Sequence, residues 1–192
     1  MMPPVPPAEE RPPLLLLALL FVGYACSYFH RADLAVLAPV WAKNGNHPDL
    51  AAALPDIASL GLLVYALGKF AGGVLAHRFG GRRLFVTALA GAAIAEFTAA
   101  MCTTPTTFAA SRVAGMAVLA LAWPSLGHLV AELTPRRRLA FVMAFFSQSY
   151  LIGDAAVRAV LAAVVAEGGG ATTILRTSGS ALAGTAIVLA VA

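Results

Sequence analysis

The stretch YALGKFAGGVLAHRFGGRR, Tyr65–Arg83, holds two signals that pull in opposite directions. Its first half is part of a long apolar run yet carries Lys69. Its second half ends in the cluster Arg78, Arg82 and Arg83. An apolar run that stops at a short basic loop is the mark of a membrane span reaching the cytoplasmic side. The rest of the chain agrees. Of its 192 residues, 60% are hydrophobic and 11% charged, whereas soluble domains are about half apolar and about one quarter charged. Mean hydropathy is +0.83. These values predict an all-α polytopic protein whose first partner is the lipid bilayer. The net charge of +4 then matters less than where the basic residues lie.

A spanning helix needs about 20 mostly apolar residues. Six segments meet that requirement, at about 14–40, 55–77, 84–101, 106–131, 139–166 and 173–192. The Pro-rich residues 1–13 read as a disordered tail. Pro55, Pro105 and Pro135 fall near segment starts or in connections, where a missing backbone donor does little harm. Gly68 and Gly72, four apart, predict close helix packing. A second basic loop holds Arg136, Arg137 and Arg138, while the alternate loops carry little beyond Lys43, Asp49, Asp56, Arg112 and Glu167. The positive-inside rule therefore expects both basic loops, and with six spans both ends of the segment, on the cytoplasmic side. The ending IVLAVA, with no tail or flanking charge, reads as a cut in or just after a span, and so as a fragment.

Ionisable residues inside spans are rare and usually face a cavity or one another. The first span places Tyr28, His30, Arg31 and Asp33 in its outward half. Arg31 falls about 25 Å, and Lys69 about 12 Å, from the cytoplasmic ends of their spans at 1.5 Å per residue, so the two cations suit one vertical path. A guanidinium grips a phosphate or carboxylate in a fork, and an ammonium acts as a point charge. The plainer alternative pairs Arg31 with Asp33 and lets Lys69 snorkel to the interface, although residues two apart on a helix do not face each other. Asp154 and Arg158, at i and i+4, fit a structural ion pair. Glu96 has no evident partner in sequence, and proton coupling and a packed polar contact are both open. His30 and His128 read as hydrogen-bonded cavity or interface groups. Cys26 and Cys102, both in apolar segments, read as small core residues.

Nothing in the sequence supports an enzyme. Metal-ligand spacing, a nucleophile elbow and a phosphate loop are all lacking, and Ser125 with His128 on one helix does not make a nucleophile–base pair. No cofactor, metal or nucleic-acid partner is expected.

The segment Gly72–Arg83, GGVLAHRFGGRR, resembles the signature between the second and third helices of the major facilitator superfamily. Gly73, Leu75, Ala76, Arg78, Arg82 and Arg83 fit it, and His77 stands where the family carries a gate-latching aspartate. Within the superfamily the chain is most similar to organophosphate:phosphate antiporters. YFHRADLAVLAP supplies Tyr28, Arg31 and Pro39 of their first-helix motif, YALGKFAGG supplies Tyr65, Lys69, Phe70 and Gly73 of the second, and Trp123 with Pro124 matches the fourth. The resemblance implies one six-helix half of a twelve-helix fold, needing a second half that is either missing from this segment or supplied by another chain. It implies that Arg31 grips a substrate phosphate and Lys69 adds a second cation. Gln148 or Ser149 would stand in for the family's fifth-helix histidine, and Gly73, His77, Arg78, Arg82 and Arg83 would form the gating loop. The implied activity is exchange of a phosphorylated metabolite for inorganic phosphate. A proton- or sodium-coupled organic anion carrier, using Glu96 or Asp154 for the proton, and a non-transporting truncated half are the alternatives.

Overall fold

The computed structural model describes residues 14–44 and 48–192; the N-terminal stretch 1–13, read above as a tail, lies outside them. Among the described residues all regular structure is helical: α1 (Leu14–Cys26), α2 (Phe29–Asn44), α3 (Pro48–Phe79), α4 (Gly81–Ala99), α5 (Pro105–Leu119), α6 (Ala122–Leu133), α7 (Arg136–Ser147), α8 (Ser149–Ala166) and α9 (Ala171–Val191). These make six spans, because three of them are broken once. The first span breaks at Ser27 and Tyr28, where the Ser27 hydroxyl donates to the Tyr24 carbonyl at 2.6 Å. The fourth breaks between α5 and α6, just before Pro124, whose ring and missing N–H disfavour a regular turn there. The fifth breaks at Gln148, flanked by Ser147 and Ser149, whose hydroxyls both donate to carbonyls of α7, those of Met143 and Phe146, a habit that bends helices.

Five of the six spans are long and apolar enough to cross a membrane. The exception is α4, with Arg82, Arg83 and Glu96 among its 19 residues. It lies at the centre, packed most extensively on α9 and α5 and also on α6. Its inward face is Ala88, Ala92, Ala93, Ala95 and Ala99 with Leu89, small enough for helix backbones to come close where lipid gives no hydrophobic push. Elsewhere α3 packs on α5 and α6, α1 on α8, and α2 on α9 and α8. Large apolar side chains such as Phe70, Val74, Phe141 and Ile187 point outward, as suits a bundle bathed in lipid.

Local chemistry explains the ends. Thr104 caps α5, accepting from the Thr107 amide at 3.3 Å, with Pro105 at the first helical position. A single residue, Gly80, joins α3 to α4 at φ 86°, a conformation that favours glycine over residues with a Cβ. The second helix begins at Pro48 rather than near Pro55, so Pro55 lies within α3. Asp49 and two apolar turns extend the helix upstream of the most hydrophobic stretch, which is what hydropathy alone detects. Gly68 and Gly72 pack as their spacing suggested: a Cβ on Gly68 would come 2.7 Å from Ala120 Cβ, and one on Gly72 would come 3.0 Å from the Pro124 ring.

Candidate functional site

Tyr65 organises the first half of the site. It is buried in α3, and its ring meets Arg31 of α2, with the guanidinium carbon 4.7 Å from the centroid, and Lys69 one turn along α3, with Nζ at 4.6 Å. The two cations therefore lie within about one Debye length of each other, about 10 Å in dilute salt. Arg31 also donates to the Tyr28 hydroxyl at 2.7 Å and stacks on that ring at 4.6 Å. Among the described residues, neither Arg31 nor Lys69 has a carboxylate partner. A tyrosine face attracts a cation by about 0.5–2 kcal/mol, which softens the repulsion without supplying a counter-charge.

Beside this group lies a fully buried ionic cluster that joins three spans. Arg112 of α5 forks onto Asp33 of α2, at 2.7 Å to Oδ1 and 3.0 Å to Oδ2. It also donates to Glu96 of α4 and to the His30 carbonyl. The His30 ring lies between Glu96 at Nδ1 and the Arg112 carbonyl, 3.3 Å from Nε2. Gly115 makes room for that ring, since a Cβ there would run into its Cε1 and Nε2 atoms. Glu96 thus has two partners, Arg112 and His30, that are remote in sequence. Arg112, grouped from the sequence with the residues of the sparse loops, is a correction: it is 2% exposed and well inside α5. The Thr104–Pro105 helix start was the signal that would have placed it there. Asp33 pairs with Arg112 rather than with Arg31.

A cavity of about 500 Å³ opens between these groups. Its wall includes Tyr28, Arg31, His30 and Arg112, together with Asp154 and Arg158 of α8, which pair at 2.8 Å and are 38% and 49% exposed. The ion pair read from their spacing is therefore present and stands on the cavity wall. Arg112 reaches the cavity too, but its terminal nitrogens are committed to Asp33, Glu96 and His30. Arg31 lines the cavity with donors to spare and no carboxylate partner among the described residues, whereas Arg158 is paired through Nε with Asp154. Lys69, Tyr65, Gln148 and Ser149 are not part of this wall. Gln148 is exposed at the α7–α8 break, and Ser149 is buried and bonded back to Phe146.

The basic-loop residues gather at one end of the bundle. Arg82 donates to the Leu189 and Ala190 carbonyls at 3.3 and 2.9 Å, capping the end of α9. His77 meets His128 edge-on at 6.0 Å, and His128 reaches Glu132 at 3.2 Å. Arg78 lies 5.5 Å from the Phe79 ring, Arg83 is exposed, and Gly73 faces open space. Among the described residues no cluster of His, Cys, Asp and Glu could hold a metal ion.

Comparison with known proteins places this architecture. The sequence profile described as the Major Facilitator Superfamily matches residues 20–192. Among solved structures, the fold is similar to the inward-open xylose transporter XylE from E. coli, with a TM-score of 0.67 at 18% identity. The match covers 92% of this chain and 46% of that one, so the chain spans about half the length of the structure it resembles. No curated protein sequence matches the chain significantly.

Proposed function

Because the chain belongs to the Major Facilitator Superfamily, we propose that it is one six-helix half of a secondary transporter for an anionic metabolite, specifically one that exchanges a phosphorylated metabolite for inorganic phosphate. The observation that carries this reading is the pair Arg31 and Lys69 on the ring of Tyr65, without a carboxylate partner among the described residues. Two uncompensated cations beside a cavity in a membrane are costly at rest, and a bound anion removes that cost. Arg31 has the fork for a phosphate edge, and Lys69 adds charge behind it. A neutral sugar, the cargo named for the similar xylose transporter, would leave both cations unmatched. On this reading substrate enters between the two six-helix halves, and the loops with Arg78, Arg82, Arg83 and Arg136–Arg138 face the cytoplasm. Counterflow in liposomes carrying the transporter tests it. Labelled phosphate should accumulate against internal phosphate or hexose phosphate and should not respond to a sodium gradient. Undiminished exchange after Arg31→Ala would remove Arg31 from the site.

The buried cluster favours a second reading, a proton-coupled organic anion carrier. Two carboxylates face one guanidinium, so the cluster is balanced only when His30 or a carboxyl holds a proton. Glu96 Oε2, buried and without a hydrogen-bond partner among the described residues, offers a place for one. Uptake driven by an imposed pH gradient and abolished by Glu96→Gln would favour this reading over phosphate exchange.

A further inference from the structure

A second cavity, of about 680 Å³, shares no lining residue with the first and lies between α8, α9 and the start of α2. It is lined by Thr172, Thr173, Arg176, Thr177 and Ser180 of α9, by Val160 of α8 and by Phe29 at the start of α2. Arg176 is exposed, and among the described residues it has no carboxylate, carbonyl or ring partner. The hydroxyls are equally free. Thr87, Thr98 and Thr185 each bond to the carbonyl four residues earlier, at 2.7–2.8 Å, whereas Thr177 and Ser180, with such a carbonyl in reach, do not. One guanidinium and four hydroxyls thus line one opening with no acid among them.

Depth specifies the ligand. α9 begins at Ala171 on the face opposite the basic loops, since its other end meets Arg82. At 1.5 Å per residue Arg176 lies about 7 Å below that start and Ser180 about 13 Å. The lining changes along the same axis, from Thr172, Thr173 and Arg176 nearest the membrane surface, through Thr177, Val160 and Ser180, to Ala181 and Phe29 deeper down. An anionic headgroup, an ester-linked glycerol and an acyl chain follow that order. We propose that this groove is a phospholipid site, in which Arg176 binds the phosphodiester in the leaflet opposite the basic loops, Thr177 and Ser180 donate to the glycerol esters, and one acyl chain covers Ala181 and Phe29.

Native mass spectrometry of the delipidated chain, titrated with phosphatidylglycerol, tests the assignment. One lipid should be retained, diacylglycerol of the same chains should not, and millimolar inorganic phosphate should not displace the lipid. Arg176→Ala should weaken retention about tenfold, the scale of one lost charge-assisted bond, and Thr177→Val with Ser180→Ala should weaken it by less. Lys43→Ala, an exposed cation at the same membrane face, should leave retention unchanged. Circular dichroism would confirm that each variant remains folded. Equal retention by Arg176→Ala, equal binding of diacylglycerol, or displacement by free phosphate would each overturn the proposal.

Discussion

Replacing Arg112 with methionine isolates what the buried cluster contributes. Methionine and arginine have similar helix propensity, so α5 itself is barely disturbed and the change falls on electrostatics. The guanidinium makes a forked contact with Asp33 at 2.7 and 3.0 Å and further bonds to Glu96 and the His30 carbonyl. Asp33 and Glu96 are both 0% exposed, so without Arg112 no water screens them. Removing one partner of a buried ion pair typically costs about 3–5 kcal/mol, mostly the penalty of the stranded charge. At about 2–4 °C per kcal/mol for a chain of this size, the melting midpoint should fall by about 6–20 °C. Thermal unfolding followed by the fluorescence of Trp41 and Trp123 in detergent measures it. Adding Asp33→Asn and Glu96→Gln to Arg112→Met should recover most of the loss, because no buried charge then remains. A midpoint for Arg112→Met within about 2 °C of the parent, well under the range expected for a stranded buried charge, would refute the reasoning. So would a triple variant no more stable than the single one.

Two glycines of similar helical setting should behave oppositely. Gly115→Ala forces a methyl into the His30 ring and into Ala95 Cβ, 2.7 Å away, and overpacking of this kind costs about 1–3 kcal/mol; Gly73→Ala meets open space and should be neutral or stabilising by up to about 1 kcal/mol. The same melting assay compares them. Gly153→Ala should part α8 from α1, since its Cβ would stand 2.6 Å from the Ala25 carbonyl oxygen, and crosslinking between the two helices should fall. Tyr65→Leu removes the ring shared by Arg31 and Lys69 and should weaken phosphate binding by about tenfold or less, the worth of the cation–π contacts, while leaving helix content unchanged by circular dichroism.

The spans were legible because their cause is local: about 20 apolar residues between basic loops need no knowledge of the neighbours. The meeting of Arg31 and Lys69 was half legible. Their depths suggested a shared path, but that they share one tyrosine ring depends on how α2 and α3 cross. The buried cluster was not legible as a unit. His30, Asp33, Glu96 and Arg112 come from three helices, and Asp33 and Arg112 are 79 residues apart, so each charge looked solitary or mispaired in the sequence. Arg112 was hidden further by the Thr-rich start of its helix, which lowers local hydropathy and resembles a loop. The pair Asp154–Arg158 shows the reverse: its i, i+4 spacing fixed the contact, while its place on a cavity wall came from tertiary packing alone.

The most direct test of an anion site built on Arg31 and Lys69 is calorimetric titration of inorganic phosphate into the chain held in nanodiscs, compared with Arg31→Ala and Lys69→Ala. Saturable binding that fails for Arg31→Ala and weakens at least tenfold for Lys69→Ala, as loss of a charge-assisted contact requires, is the predicted result. Phosphate binding that is unchanged in both variants would contradict it.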